Sequence, residues 1–193
     1  MSDPLGRAIR FIARYPGGIL ARAKLSPNQI TILGLFVNCV VAYLISPATV
    51  NYLLAGTLIW TAGFFDALDG SVARAGGKVT VYGDFLDSVL DRYSDSVIYL
   101  GIMVHFLKSG RQDCVFLAAV AIVGSLAVSY VRAKAESLGR KCEIGLLPRT
   151  ARIVILGLSF CLYQPFWGLL IIAALSNLTA LQRIIYVRNN IQD

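Results

Sequence analysis

Asp66 and Asp69, then Asp87 and Asp91, are four carboxylates in a chain that is otherwise strongly apolar. The first two stand three apart and the second two four apart, so on helices each pair shares a face. Two such pairs on neighbouring helices make one pocket of hard oxygen ligands, suited to Mg²⁺ or Mn²⁺. Acids so close cannot all stay ionised without cations between them, and a carboxylate at membrane depth is expensive unless partnered. Two divalent metals resolve both problems. They also create a site for a pyrophosphate, where they can polarise phosphoryl oxygens and stabilise a leaving group.

The residues around the acids suit the same chemistry. Gly70 lets a phosphate or a neighbouring backbone come close. Ala73 keeps the surface low, and Arg74 can pair a phosphate in fork geometry. Asp66 and Asp69 are expected to end a span, with Ala75-Gly76-Gly77 permitting a sharp turn before the next. The bland alternative is a set of helix-end acids paired with Arg74, Lys78 and Arg92. That alternative is assigned to Asp84 and Asp95, which lie outside the pattern. For Asp66, Asp69, Gly70, Ala73, Arg74, Gly83, Asp87 and Asp91 together, chance recurrence is on the order of 10⁻⁹ per starting point.

The elements that must carry these residues are helical and membrane-borne. Of 193 residues, 56% are hydrophobic and 15% charged, against about 25% charged in a soluble domain. The mean hydropathy is +0.67. The expected fold is an all-α integral membrane protein with six transmembrane helices, preceded by an amphipathic surface helix. Residues 1–25 read as the juxtamembrane amphipathic segment, with Leu5, Ile9, Phe11, Ile12 and Ile19 set among Arg7, Arg10, Arg14 and Arg22, interrupted near Pro16-Gly17-Gly18. Residues 26–193 read as one membrane domain. Ser26 and Pro27 suit a helix start. Six spans are expected near residues 30–45, 52–68, 85–107, 115–131, 153–162 and 167–185. The fifth is expected to begin earlier, around Pro148, because a spanning helix needs about 20 residues.

The basic residues set the expected orientation. They gather before the first span, after the second (Arg74, Lys78) and after the fourth (Arg132, Lys134, Arg140, Lys141, Arg149), with Arg188 after the sixth. Lys108 and Arg111, after the third span, are the exception. Both termini and the acidic motif are therefore expected on the cytoplasmic side of the cell membrane. The net charge of +7 lies beside apolar spans, which points to anionic headgroups and phosphorylated substrates rather than nucleic acid. No secretory signal peptide is expected, because no small-residue cleavage site follows the first apolar run. Cys39, Cys114, Cys142 and Cys161 have no metal-ligand spacing and read as inert thiols. His105 reads as a packed or interfacial residue.

The pattern D-x2-D-G-x2-A-R-x8-G-x3-D-x3-D resembles the signature of the CDP-alcohol phosphotransferases at all eight positions, from Asp66 to Asp91. The resemblance extends over nearly the whole chain. It implies a CDP-linked lipid donor (CDP-diacylglycerol or CDP-archaeol), release of CMP, and a homodimer. It implies that Asp66, Asp69 and Asp87 hold one Mg²⁺ or Mn²⁺, while Asp66, Asp87 and Asp91 contact a second. It also implies that Asn28, Gln29, Ile30, Thr31, Gly70, Arg74 and Thr80 hold the cytidine nucleotide and its phosphates, and that Asp91 is the general base. Chemistry alone allows either Asp87 or Asp91 that role.

The second half of the chain bears on the acceptor. Arg132 closes the fourth span, Arg152 opens the fifth, and Arg183 is the one charged residue late in the sixth. Three arginines from three helices can converge on one phosphate in bidentate contacts. Arg149 and Lys134 read equally well as contacts to lipid headgroups. Tyr-Val-Arg-Ala-Lys-Ala-Glu (130–136), Pro-Arg-Thr-Ala-Arg (148–152) and Leu-Gln-Arg (181–183) resemble the phosphatidylinositol-phosphate synthase branch. There, positions matching Arg132, Arg152 and Arg183 grip the inositol phosphate. The chain departs from that branch at Arg132, where lysine is expected, and at Ala151, where glutamate is expected to orient the next arginine.

The expected function is therefore transfer of a phosphatidyl-type group from a CDP-linked lipid to inositol phosphate. Glycerol 3-phosphate, as in phosphatidylglycerophosphate synthases, is the alternative acceptor. A divalent-metal or proton transporter is the competing class. It predicts acids spread through the membrane depth, whereas these cluster at one end of two spans, and it has no role for the Gly-Ala-Arg element.

Overall fold

A computed structural model describes residues 27–75, 80–142 and 144–190, with the backbone alone at 27 and 66–75. The expected surface helix at 1–25 lies outside the described residues. Those described form six helices and no strand: α1 Pro27–Ile45, α2 Tyr52–Ala75, α3 Val81–Lys108, α4 Gln112–Ser137, α5 Arg149–Cys161 and α6 Pro165–Asn190. Proline opens α1 and α6, where its missing N–H is no loss. Thr80 caps α3, its hydroxyl accepting from the Gly83 N–H at 3.0 Å.

Each helix packs mainly against two others, which places them in a ring in the order α1, α3, α4, α6, α5, α2 and back to α1. Side chains fasten the seams. The Trp60 indole N–H donates to the Val154 carbonyl at 3.3 Å between α2 and α5, and the Asn177 amide donates to the Val120 carbonyl at 3.2 Å between α6 and α4. Phe106, Phe160, Ile102, Leu169 and Ile172 are fully buried between the helices. Gly101 lets α3 touch α1. A Cβ there would stand 2.5 Å from the Ala42 carbonyl oxygen and 2.8 Å from its Cα, atoms that cannot move aside.

The two ends of the ring differ. At one end the α1–α2, α3–α4 and α5–α6 connections meet. His105 is buried there, with Nδ1 2.6 Å from the Pro47 carbonyl and Nε2 3.3 Å from the Tyr52 hydroxyl. Tyr52 in turn lies 5.7 Å from Tyr163 between ring centroids. His105 is thus a packed residue. Arg111 at this end forks onto Asp113, with Nε and Nη2 at 3.0 and 2.8 Å from its two oxygens. That pairing holds the Arg111 guanidinium above its ordinary pKa. The start of α1, the end of α2 and the start of α3 lie at the opposite end.

The apolar stretch of α2 covers Tyr52–Phe65, just ahead of Asp66 and Asp69, and its backbone stays helical to Ala75, where the turn is expected. One glycine costs a helix only about 1 kcal/mol, too little to stop it at Gly70. One expectation changes: α5 starts at Arg149, close to the expected Pro148, yet has only 13 residues, or about 20 Å. Among the described residues three helices are long and apolar enough to cross a membrane, α1, α4 and α6, and a shorter apolar stretch covers Tyr52–Phe65. The acids of α3 and the brevity of α5 separate these two from the rest.

Candidate active site

The start of α1 and the start of α3 meet at Gly83. A Cβ on Gly83 would lie 2.9 Å from Thr80 Oγ1 and 3.2 Å from Asn28 Oδ1. Asn28, distant in sequence, is thereby brought to Thr80 and Gly83, and glycine is what permits it. Of the expected nucleotide contacts on α1, Asn28 is half-buried, Gln29 exposed, and Ile30 and Thr31 buried. The Ile30 side chain belongs to the apolar interior.

Asp66, Asp69, Gly70, Ala73 and Arg74 all lie on the last turns of α2. Their side chains lie outside the described residues. Asp87 and Asp91 are half-buried one turn apart on α3, on a common face. This donor set is carboxylate oxygen alone, which fits Mg²⁺ or Mn²⁺ and does not fit a soft metal. Asp66, Asp69, Asp87 and Asp91 are the residues that would hold such ions.

Asp91 is engaged from across the ring. Arg149, in the first turn of α5, places Nη1 2.8 Å from Asp91 Oδ2. The same guanidinium donates through Nε to Asp95 Oδ1 at 2.9 Å. The other oxygen of Asp95 accepts from Arg152 Nη2 at 3.2 Å. Asp91, Arg149, Asp95 and Arg152 thus form one chain of alternating charge between α3 and α5. Arg149 thus pairs with the acids of α3, and Asp95 takes Arg149 and Arg152 rather than Arg92. Arg92 turns back on its own helix to the Ser88 carbonyl. The reason is positional. Asp95 lies one turn beyond Asp91 on the same face, where the first turn of α5 arrives. The signal available in sequence was the i, i+4, i+8 series Asp87, Asp91, Asp95 set against Arg149 and Arg152 at i, i+3.

The three expected acceptor arginines lie on three helices, α4, α5 and α6. Their present bonds differ. Arg132 is exposed and pairs with Glu136 one turn on, at 2.8 Å. Arg152 is buried and held by Asp95, with a long 3.5 Å contact to the Leu147 carbonyl. Arg183 is buried and donates through Nε to the Ile144 carbonyl at 2.8 Å and through Nη1 to the Val128 carbonyl at 2.7 Å. Arg183 therefore also ties the 138–148 connection to α4 and α6. Cys114 and Cys142 are buried free thiols, and no group of three or more metal-ligating side chains occurs among the described residues.

Comparison with known proteins shows the family. The CDP-alcohol phosphatidyltransferase family pattern matches residues 24–185. The archaetidylinositol phosphate synthase of Methanothermobacter thermautotrophicus is 37% identical over 182 residues, covering 91% of this chain and 90% of that protein. The phosphatidylinositol phosphate synthase of Mycobacterium tuberculosis is 31% identical over 177 residues, covering 86% and 80%. Crystal structures of the M. tuberculosis enzyme superpose closely. With CDP-DAG bound the TM-score is 0.78 at 27% identity, covering 94% of each chain. In complex with manganese and citrate it is 0.79 at 27% identity, covering 93% of this chain and 88% of that one. The match over most of the chain, together with the acid motif at the head of α3, makes this protein a member of the CDP-alcohol phosphatidyltransferase family.

Proposed function

We propose that this membrane enzyme transfers a phosphatidyl-type group from a CDP-linked lipid to inositol phosphate and releases CMP. The observation that carries the reading is the ion chain from Asp91 through Arg149 and Asp95 to Arg152. It joins Asp91 of the acid motif to the arginine-rich opening of α5, which supports reading the two as one site. An acceptor without a phosphate, such as choline, ethanolamine or serine, needs no such cationic wall, and a phosphorylated polyol does. The archaetidylinositol and phosphatidylinositol phosphate synthases among its relatives support the same acceptor.

The chemistry follows from the residues. Asn28, Gln29, Ile30, Thr31, Gly70, Arg74 and Thr80 hold the cytidine nucleotide and its phosphates. Gly83 lets Asn28 and Thr80 approach one another to do so. Arg132, Arg152 and Arg183 bind the acceptor phosphate and bring its hydroxyl towards the lipid phosphorus. Asp91 takes the proton of that hydroxyl as the new P–O bond forms. The pyrophosphate P–O bond breaks, and CMP departs with the electron pair. Arg74 offsets charge on the moving phosphoryl group. Divalent ions at the four aspartates, two per site, supply electrostatic stabilisation of the phosphoryl oxygens and of the leaving CMP.

Residues 26–193 then form the catalytic membrane domain, with 1–25 as the N-terminal amphipathic segment of the sequence. The active end and both termini face the cytoplasm. The Lys and Arg residues beside the active end support that orientation, with Lys108 and Arg111 as the exception. Two copies form the working homodimer, as the family resemblance implies. The experiment is CMP release from CDP-archaeol and from CDP-diacylglycerol, with inositol 1-phosphate (the 1D-myo 3-phosphate form) and with glycerol 3-phosphate in turn. Turnover with glycerol 3-phosphate and none with the inositol phosphate would reject the acceptor. Metal flux into liposomes without turnover would reject the enzyme.

A further inference from the structure

We infer that Asp95, which lies outside the signature, is a positioning residue for the acceptor: it holds Arg152 ready for the acceptor phosphate and, through Arg149, ties that setting to Asp91. The inference rests on the transferase reading above.

Both oxygens of Asp95 are committed, each to a different guanidinium of α5: Nε of Arg149 at 2.9 Å and Nη2 of Arg152 at 3.2 Å. Arg152 is only 3% exposed. Its Nε is buried without a hydrogen-bond partner, and its other contact, to the Leu147 carbonyl, is 3.5 Å long. Among the described residues Asp95 is the one carboxylate bonded to it. A buried guanidinium without a counter-ion is strongly disfavoured, so before an anionic substrate arrives this carboxylate must supply the charge. It does so while leaving Arg152 under-bonded, with donors still to satisfy.

The surroundings leave room for that adjustment. Asn38, Tyr99, Asp95 and Arg152 line a cavity of about 20 Å³ among α1, α2, α3 and α5, enough for one water. Asp95 also accounts for the departure at Ala151. The expected glutamate beside Arg152 is absent from α5, and a carboxylate from α3 takes the orienting role across the ring.

The test is a double-mutant cycle on the purified full chain. Asp95→Asn keeps the shape and removes the charge. It should raise KM for inositol 1-phosphate at least tenfold and leave KM for the CDP-lipid within twofold. Arg152→Gln should give the same split. Asp95→Asn in the Arg152→Gln background should add little to acceptor KM, because the residue it positions is gone. If Asp95→Asn alone does not yield folded protein, the double variant, which removes the stranded charge, supplies the comparison with Arg152→Gln. Equal rises in both KM values, no change in either, or a full additional rise in the double variant would overturn the inference. Wild type is assayed in parallel on both acceptors. If it turns over only glycerol 3-phosphate, the acceptor assignment fails while the cycle, run on that acceptor, still decides Asp95. If it turns over neither, both fail.

Discussion

Arg149 Nη1 stands 2.8 Å from Asp91 Oδ2, so the acid read as the general base is held by a guanidinium from another helix. A divalent cation approaching Asp91 meets a positive charge already in contact with its ligand. Arg149→Gln removes that charge. Both side chains are a little over one-quarter exposed, so the pair is worth about 1 kcal/mol, or roughly fivefold in affinity. Mn²⁺ binding followed by electron paramagnetic resonance should tighten by about that factor. Turnover should fall, because Asp91 loses its support. Unchanged Mn²⁺ affinity would mean that Arg149 and the metal do not share the carboxylate.

Asp91→Asn should bind CDP-lipid and fail to use it. The substitution keeps the size of the side chain and removes the proton acceptor. Turnover should fall at least ~100-fold, the lower end of general-base effects. Equilibrium binding of CDP-lipid should persist. Near-normal turnover would pass the base role to Asp87, its neighbour one turn earlier on the same face.

Much of this site could be read from spacing, and the unread part has a physical cause. The i, i+3 and i, i+4 spacings of the four acids, the helix start at Pro27 and the packed character of His105 are local properties, and each helix carries them in its own sequence. The pairing of Asp91 and Asp95 with Arg149 depends on how α5 is set across the ring from α3. That is a tertiary fact, and the nearby cations Arg74, Lys78 and Arg92 were the natural local candidates. The brevity of α5 is likewise a tertiary fact, because nothing local to Arg149–Cys161 sets how far the helix runs before the chain turns into α6.

Chelation separates structural from catalytic use of the acids. In excess EDTA, CMP release should vanish, and added Mn²⁺ or Mg²⁺ should restore it. The helices interlock through apolar seams and through the Asp95 ion pairs, so the melting temperature in detergent should change little. A collapse of melting temperature on chelation would make the metals structural.

Gly83→Ala tests the meeting of α1 and α3. The new methyl would press on Thr80 Oγ1 at 2.9 Å and on Asn28 Oδ1 at 3.2 Å. Either the cap on α3 or the position of Asn28 must give. Loss of a cap costs about 1 kcal/mol, or roughly fivefold if it is felt in binding. KM for the CDP-lipid should rise by about that factor, with KM for the acceptor unchanged. A selective effect on the acceptor would remove Asn28 and Thr80 from the nucleotide site.

Arg183 carries two duties, and one substitution can tell them apart. Its Nε and Nη1 bridge the carbonyls of Ile144 and Val128, so it pins the 138–148 connection onto the bundle. It is also one of the three expected acceptor arginines, with Arg132 and Arg152. Arg183→Lys keeps the charge, but an ammonium cannot reproduce the planar fork to both carbonyls. A buried carbonyl left without its donor costs about 1–3 kcal/mol, so the detergent melting temperature should drop by several degrees. Arg183→Gln removes the charge as well, and acceptor KM should then rise well beyond that of the lysine variant. If both variants lose stability equally and acceptor KM moves in neither, Arg183 is a structural clamp, and the acceptor phosphate is left to Arg132 and Arg152.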